Sequence, residues 1–203
     1  MKYSKVTLGQ SEAVFNKLGG EQGITDFLSG RTQVVKSDRN FPTLMNIEVG
    51  LYDSNELIKI IRKDKKINTH ESNNILEWPP LFEFYERKNL ELVVVTPADL
   101  GFEPMFESCA TYDNICERAE IVGLDKCPPE LGMLLSLPQY GLKDGFYIIA
   151  SKLLRDEDKK KHLLVVWYGK NDTCELKAWE DKNEPYFKDF KFIFVRRNVV
   201  LEG

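Results

Sequence analysis

Residues 111–137, TYDNICERAEIVGLDKCPPELGMLLSL, constrain the fold of this chain more than any other stretch. A helix starting at or near Thr111 puts Ile115, Ala119 and Val122 on one stripe and stops at Gly123, which tolerates the left-handed conformation of a helix exit. Leu124 then packs back over that exit. Pro128 and Pro129 follow Cys127 and open a second helix, because a missing N–H costs nothing in a first turn. Glu130 in that turn complements the positive end of the helix dipole. The pattern predicts a helical corner, a shape rather than a reaction.

At 203 residues and 42% hydrophobic content, the chain can bury a substantial core. No apolar run follows a basic start, and none approaches the roughly 20 residues of a membrane span. A cytoplasmic protein without a membrane partner is therefore expected. The four cysteines, at 109, 116, 127 and 174, are too few and too irregular for a disulfide framework, so reduced thiols are expected. The net charge of −4 disfavours a general nucleic-acid binder without excluding one. Its distribution is uneven: residues 1–67 and 159–203 each carry +3, whereas 68–158 carry −10. Such an asymmetry can steer a protein partner, or simply solvate the surface unevenly.

The fold class read from the pattern is α+β, with a helix-rich N-terminal module over 1–80 and an α+β module over 81–203. Ser11 caps a helix with Val14, Phe15 and Leu18 facing inward, ended by Gly19-Gly20. Ile24, Phe27 and Leu28 mark a second short helix, and Thr32 to Lys36 reads as extended. Asn46 to Leu51 alternates as a strand. Asp53 with Glu56 is a capping-box variant opening a helix whose Leu57, Ile58, Ile60 and Ile61 form the buried side. Another helix over 70–78 ends at Pro79-Pro80, the expected module boundary. Glu91 to Thr96 is a compact strand covered on both faces. Beyond the corner, strands are expected at 146–154, 163–168, 174–179 and 191–196, joined by turn-forming residues into a C-terminal antiparallel sheet.

Several of these segments together resemble a family of uncharacterised bacterial proteins: LGG-x-x-G and FLSG within 18–30, LELVVVTPADLGF at 90–102, Arg118-Ala119 with Gly123-Leu124 and CPPELG at 127–132, and FKFIFVRR at 190–197. The resemblance implies a CPxEVG motif followed by an arginine and a tyrosine, then a sheet ending in an FVFxRR strand. Cys127, Pro128, Glu130 and Gly132 match the first motif, and Tyr140 stands for the tyrosine. Ser136 stands where the arginine would be. No activity comes with the resemblance.

Candidate chemistry is sparse. Glu175-x-Lys177 has the pattern of a metal-dependent nuclease strand, in which a carboxylate holds Mg²⁺ and a lysine supports the attacking water; Asp156, Asp158 or Asp172 would complete it. Alternating Glu and Lys also describe any wet strand face. Cys127 precedes a helix, where amides lower a thiol pKa, yet Pro128 and Pro129 remove two of those donors. Cysteines with six, ten and forty-six residues between them contain no CxxC, and His70-Glu71 lacks the second histidine of a zincin because Asn74 occupies its place. Neither a metal nor a cofactor is expected. Gly19-Gly20-x-x-Gly23 lacks the lysine of a phosphate loop, and the basic runs at 59–66 and 158–162 read as solvated surface.

The leading expectation is a non-catalytic interaction protein, and the competing one is a metal-dependent hydrolase or nuclease built on acidic residues of the C-terminal sheet. The candidate binding residues are Arg118, Glu130 and Tyr140 at the corner, and Trp179 and Tyr186 on the sheet side. Arg118 and Glu130 would act as complementary charges, although Arg118 could equally form an ion pair within the fold. Trp179, Tyr186 and Phe187 fall in or near a connecting loop, where large apolar groups suggest partner contact.

Overall fold

The computed structural model describes residues 25, 41–68, 86–102, 110–169, 173–187 and 189–197. The chain divides into two units, Met1–Ser37 and Asp38–Gly203. The expected helices and strand before residue 37, and the helix over 70–78 with its terminal proline pair, lie outside the described residues.

The second unit is α+β. Its strands are β1 (Thr43–Val49), β2 (Ile67–Asn68), β3 (Lys88–Val95), β4 (Leu124–Asp125), β5 (Gly145–Arg155), β6 (Lys161–Tyr168), β7 (Cys174–Glu180) and β8 (Lys191–Arg196). Its helices are α1 (Ser54–Lys63), α2 (Tyr112–Ile121) and α3 (Glu130–Leu135), with a 3₁₀ turn at Pro138–Tyr140. All eight strands join one sheet in the order β1-β3-β8-β5-β6-β7-β2, and β4 pairs with β8 beside this path. Residues 41–68, grouped from the sequence with the N-terminal module, thus share a sheet with the C-terminal strands.

The four C-terminal strands occupy the expected residues, but the sheet is mixed rather than antiparallel. β5, β6 and β7 form an antiparallel meander. β8 runs antiparallel to β3 but parallel to β5, and β2 runs parallel to β7. Turn residues specify the direction of strands joined by a tight hairpin, and no hairpin joins β7 to β8. The connection over 181–190 instead carries the chain across the sheet, so that β8 enters between β3 and β5.

Local chemistry explains the helices. Asp53 accepts from the Glu56 N–H at 2.9 Å and Glu56 reaches back to the Asp53 N–H at 3.4 Å, a capping box that starts α1. Leu57, Ile58 and Ile61 are buried, but Ile60 is exposed. At 100° per residue, Leu57, Ile58 and Ile61 span one arc and Ile60 falls beyond its edge. Thr111 is the N-cap residue of α2, whose Ile115, Ala119 and Val122 are buried as expected. Gly123 has φ +85° and donates to Glu120 O, and Leu124 folds back into β4.

The larger core lies between one sheet face and the pair α1 and α3. Ile149, Leu164, Val166, Leu176 and Ile193 supply the sheet side; Leu57, Ile61, Leu131 and Leu134 supply the helices. Gly132 lets α3 approach β6: a Cβ there would sit 3.1 Å from Leu164 Cδ1. By period-two alternation, Phe146, Ile148, Val165, Trp167, Trp179, Phe192 and Phe194 point to the opposite face. There Tyr186 meets Phe192 edge-on, ring centroids 5.3 Å apart.

Candidate functional site

The five sequence-predicted binding residues separate into two places. Arg118 and Glu130 do not pair with each other. The Arg118 guanidinium stacks over the Phe102 ring, 5.1 Å from its centroid, and its buried Nη1 has no hydrogen-bond partner. Glu130 is 6% exposed, and its Oε1 accepts the Gly50 N–H at 2.8 Å. Burial pushes the Glu130 carboxyl above the ordinary glutamate value, and the Gly50 hydrogen bond partly opposes that. Its function here is to tie the β1–α1 turn to the start of α3, rather than to complement a helix dipole in water. Tyr140 is half-buried against the same core, on the turn that follows α3.

The corner's other reactive groups are also engaged internally. Cys127 is buried and its Sγ donates to Ile193 O at 3.2 Å; burial pushes the thiol well above the ordinary cysteine value. Helix-terminus activation is thus outweighed by desolvation. Ser136, standing where the resemblance expects arginine, is fully buried and donates to Met133 O at 2.7 Å. Tyr168 donates to Leu135 O and Tyr112 to Ser151 O, pinning both helices to the sheet.

Trp179 and Tyr186 do come together. Their rings meet edge-on at 6.3 Å, within a larger aromatic cluster. Trp179 lies near the end of β7, as the expected strand over 174–179 placed it, and 41% of it is exposed. Tyr186 is buried, with its hydroxyl 3.3 Å from Asp181 Oδ1 and its backbone N–H bonded to Ala110 O at 2.9 Å. Burial, then the Asp181 charge, raises its phenol far above the ordinary value. Tyr186 is therefore a support for the cluster, and Trp179 is part of its surface.

The exposed members are Trp179, Phe187 and the half-buried Phe146 and Phe190. Phe187 stacks on Phe190 at 5.9 Å and 18°, Phe190 tilts against Trp179 at 5.8 Å, and Phe146 meets Trp179 edge-on at 5.3 Å. Phe187 is 69% exposed. Its neighbours hold one ring face in place and leave the rest to water. Trp179, Phe187 and Phe190 line two adjoining concavities. The larger, about 500 Å³, is bounded by Phe146, Trp179, Phe187 and Phe190 with Asp189 and Lys191 at its rim. The smaller, about 290 Å³, shares Trp179, Phe187 and Phe190 with it and is also lined by Glu180, Asp181, Lys182 and Glu184. Both volumes are at or near the range of small-ligand pockets, though these are surface troughs rather than enclosed cavities.

Sequence reasoning did not single out Phe146 as a contact residue. Near the start of a strand, it carries the same alternation as a core position. Its place in the cluster comes from Trp179 on β7 and from Phe190 at the end of the 181–190 crossing, partners that no local pattern encodes.

The nuclease pattern does not assemble with Asp156. Glu175 Oε2 and Lys177 Nζ pair directly at 2.7 Å on the β7 face. Asp156 sits 2.8 Å from His162 Nε2, and His162 pairs with Glu180 where Trp167 pairs with Glu175. Five residues of strand therefore separate that aspartate from Glu175, about 17 Å. Asp158 is exposed in the same β5–β6 turn, and Asp172 lies outside the described residues. Among the described residues, no group of three or more His, Cys, Asp or Glu could hold a metal ion, and no helix is long and apolar enough to cross a membrane. Comparison with protein-family models, with curated proteins and with solved structures finds no match to this chain.

Proposed function

We propose that this chain is a non-catalytic cytoplasmic binding protein whose contact surface is the aromatic wall of Trp179, Phe187, Phe190 and Phe146. The carrying observation is the exposure of Trp179, on β7, and of Phe187, on the connection that follows it, both held by ring contacts with Phe190. Large apolar surface kept in water lowers solubility and adds nothing to the core, so a surface of this kind is retained for contact. Aromatic side chains dominate interface energetics, because each brings much area with few rotatable bonds. The buried, unbridged thiols of Cys116, Cys127 and Cys174 are in keeping with a reducing compartment.

A photo-crosslinking residue tests this directly. Phe187→p-benzoylphenylalanine, expressed in the source cells and irradiated, should give a discrete protein adduct that disappears when Trp179→Ala is added. The same residue at exposed Glu157 should give none. Equal labelling from positions 187 and 157 would defeat the proposal.

A further inference from the structure

We infer that the two troughs take a cationic, extended peptide segment, with an apolar side chain in the larger trough and an arginine or lysine in the smaller. The inference rests on the proposed binding function and adds the chemistry of the partner.

The troughs share the wall of Trp179, Phe187 and Phe190, so a single extended segment can lie across both. The larger trough is walled by four aromatic rings; of the two charged residues that line it, Asp189 and Lys191, the lysine has its ammonium over the Tyr147 ring, 5.3 Å from the centroid. This trough suits an uncharged anchor such as phenylalanine, leucine or proline. Three acidic residues, Glu180, Asp181 and Glu184, and one basic residue, Lys182, line the smaller trough. Asp181 is held in place by the Tyr186 hydroxyl and by the Asn183 N–H at 3.2 Å. A guanidinium there lies among these acidic residues and the Trp179 and Phe187 rings that line the same trough, so that ion pairing and cation–π attraction act together. An anionic partner would place its charge against Glu180 and Glu184 over the same rings, whose faces are negative.

Three fluorescein-labelled octapeptides test the inference on the full chain by fluorescence anisotropy: one with a phenylalanine between two arginines, a twin with glutamates for the arginines, and a twin with serine for the phenylalanine. The arginine–phenylalanine peptide should bind at least tenfold more tightly than either twin. Its affinity should fall as NaCl is raised from about 50 to about 300 mM, because exposed charges are screened over that range. Glu180→Lys with Glu184→Lys should weaken it at least tenfold, and Phe187→Ser should do the same, with circular dichroism unchanged in both variants. Equal binding of the glutamate twin, abolished by Phe187→Ser, would overturn the charge assignment and leave the binding surface standing. Absence of binding by all three at about 1 mM would overturn the peptide assignment. Self-association lost on Phe187→Ser, seen by sedimentation, would give the troughs to a second copy instead.

Discussion

At the helical corner Glu130 is bonded to Gly50, Cys127 to Ile193 and Ser136 to Met133, whereas beside β7 the rings of Trp179 and Phe187 meet water. Both regions hold conspicuous residues, and they differ in what those residues have left over. At the corner, the Glu130 carboxylate, the Cys127 thiol and the Ser136 hydroxyl each hold a hydrogen bond inside the fold, and Arg118, whose buried Nη1 has no hydrogen-bond partner, stacks on Phe102. Beside β7, a buried phenol and a bonded aspartate support aromatic area that nothing among the described residues covers. A side chain's chemical type is therefore a poor guide to function here, and the apolar area it leaves in water is a better one.

The largest effect that would test this contrast is on stability. Leu134 is fully buried between α3 and the sheet, so Leu134→Ala should cost about 2–5 kcal/mol by removing transfer free energy and leaving a cavity. Urea unfolding monitored by circular dichroism would measure it. A loss as small as that of an exposed substitution would mean that the corner does not anchor the fold.

Glu130 sharpens the corner's side of the contrast. Glu130→Ala leaves the half-buried Gly50 N–H without its acceptor and should cost about 1 kcal/mol. Glu130→Gln keeps an acceptor for that N–H and removes the buried charge. The sign with pH follows from the raised carboxyl. Below the ordinary glutamate value the side chain is protonated both folded and unfolded, and its charge costs nothing. As pH climbs from there through the raised value, the folded state binds more protons than the unfolded one, so stability falls with pH. The Gln variant should lack that decline while matching the wild type at low pH. An unchanged pH profile in the Gln variant would mean that the Glu130 charge has no part in stability.

The corner is legible in the sequence because its determinants are local. A glycine with φ +85°, two prolines and a stripe of Ile115 and Ala119 each act within a few residues, as does the capping box at Asp53 that starts α1. The strands β5 to β8 are legible by alternation for the same reason. The order of the sheet is not. Nothing around Lys191 records that β8 lies between β3 and β5, since that placement is decided by pairings distant in the chain. The site inherits this limit. Trp179 and Phe187 stand out as large apolar groups at the end of a strand and beyond it, whereas Phe146 looks like core and Tyr186 looks like surface. Their actual roles depend on where the 181–190 connection crosses.

The smallest expected effect is the most discriminating. Phe187 contributes one stacked face and little burial, so Phe187→Ser should change stability by about 0.5 kcal/mol or less, as at exposed sites away from caps and core. Tyr186→Ser, one residue earlier, removes a buried ring that braces Trp179, Phe190 and Phe192 and should cost several times more. If both substitutions were equally damaging in urea, Phe187 would be a core residue that happens to touch water, and its availability to a partner would lose its support. If only Tyr186→Ser destabilises, the two neighbours divide as the geometry divides them: one ring holds the surface, and the next one is the surface.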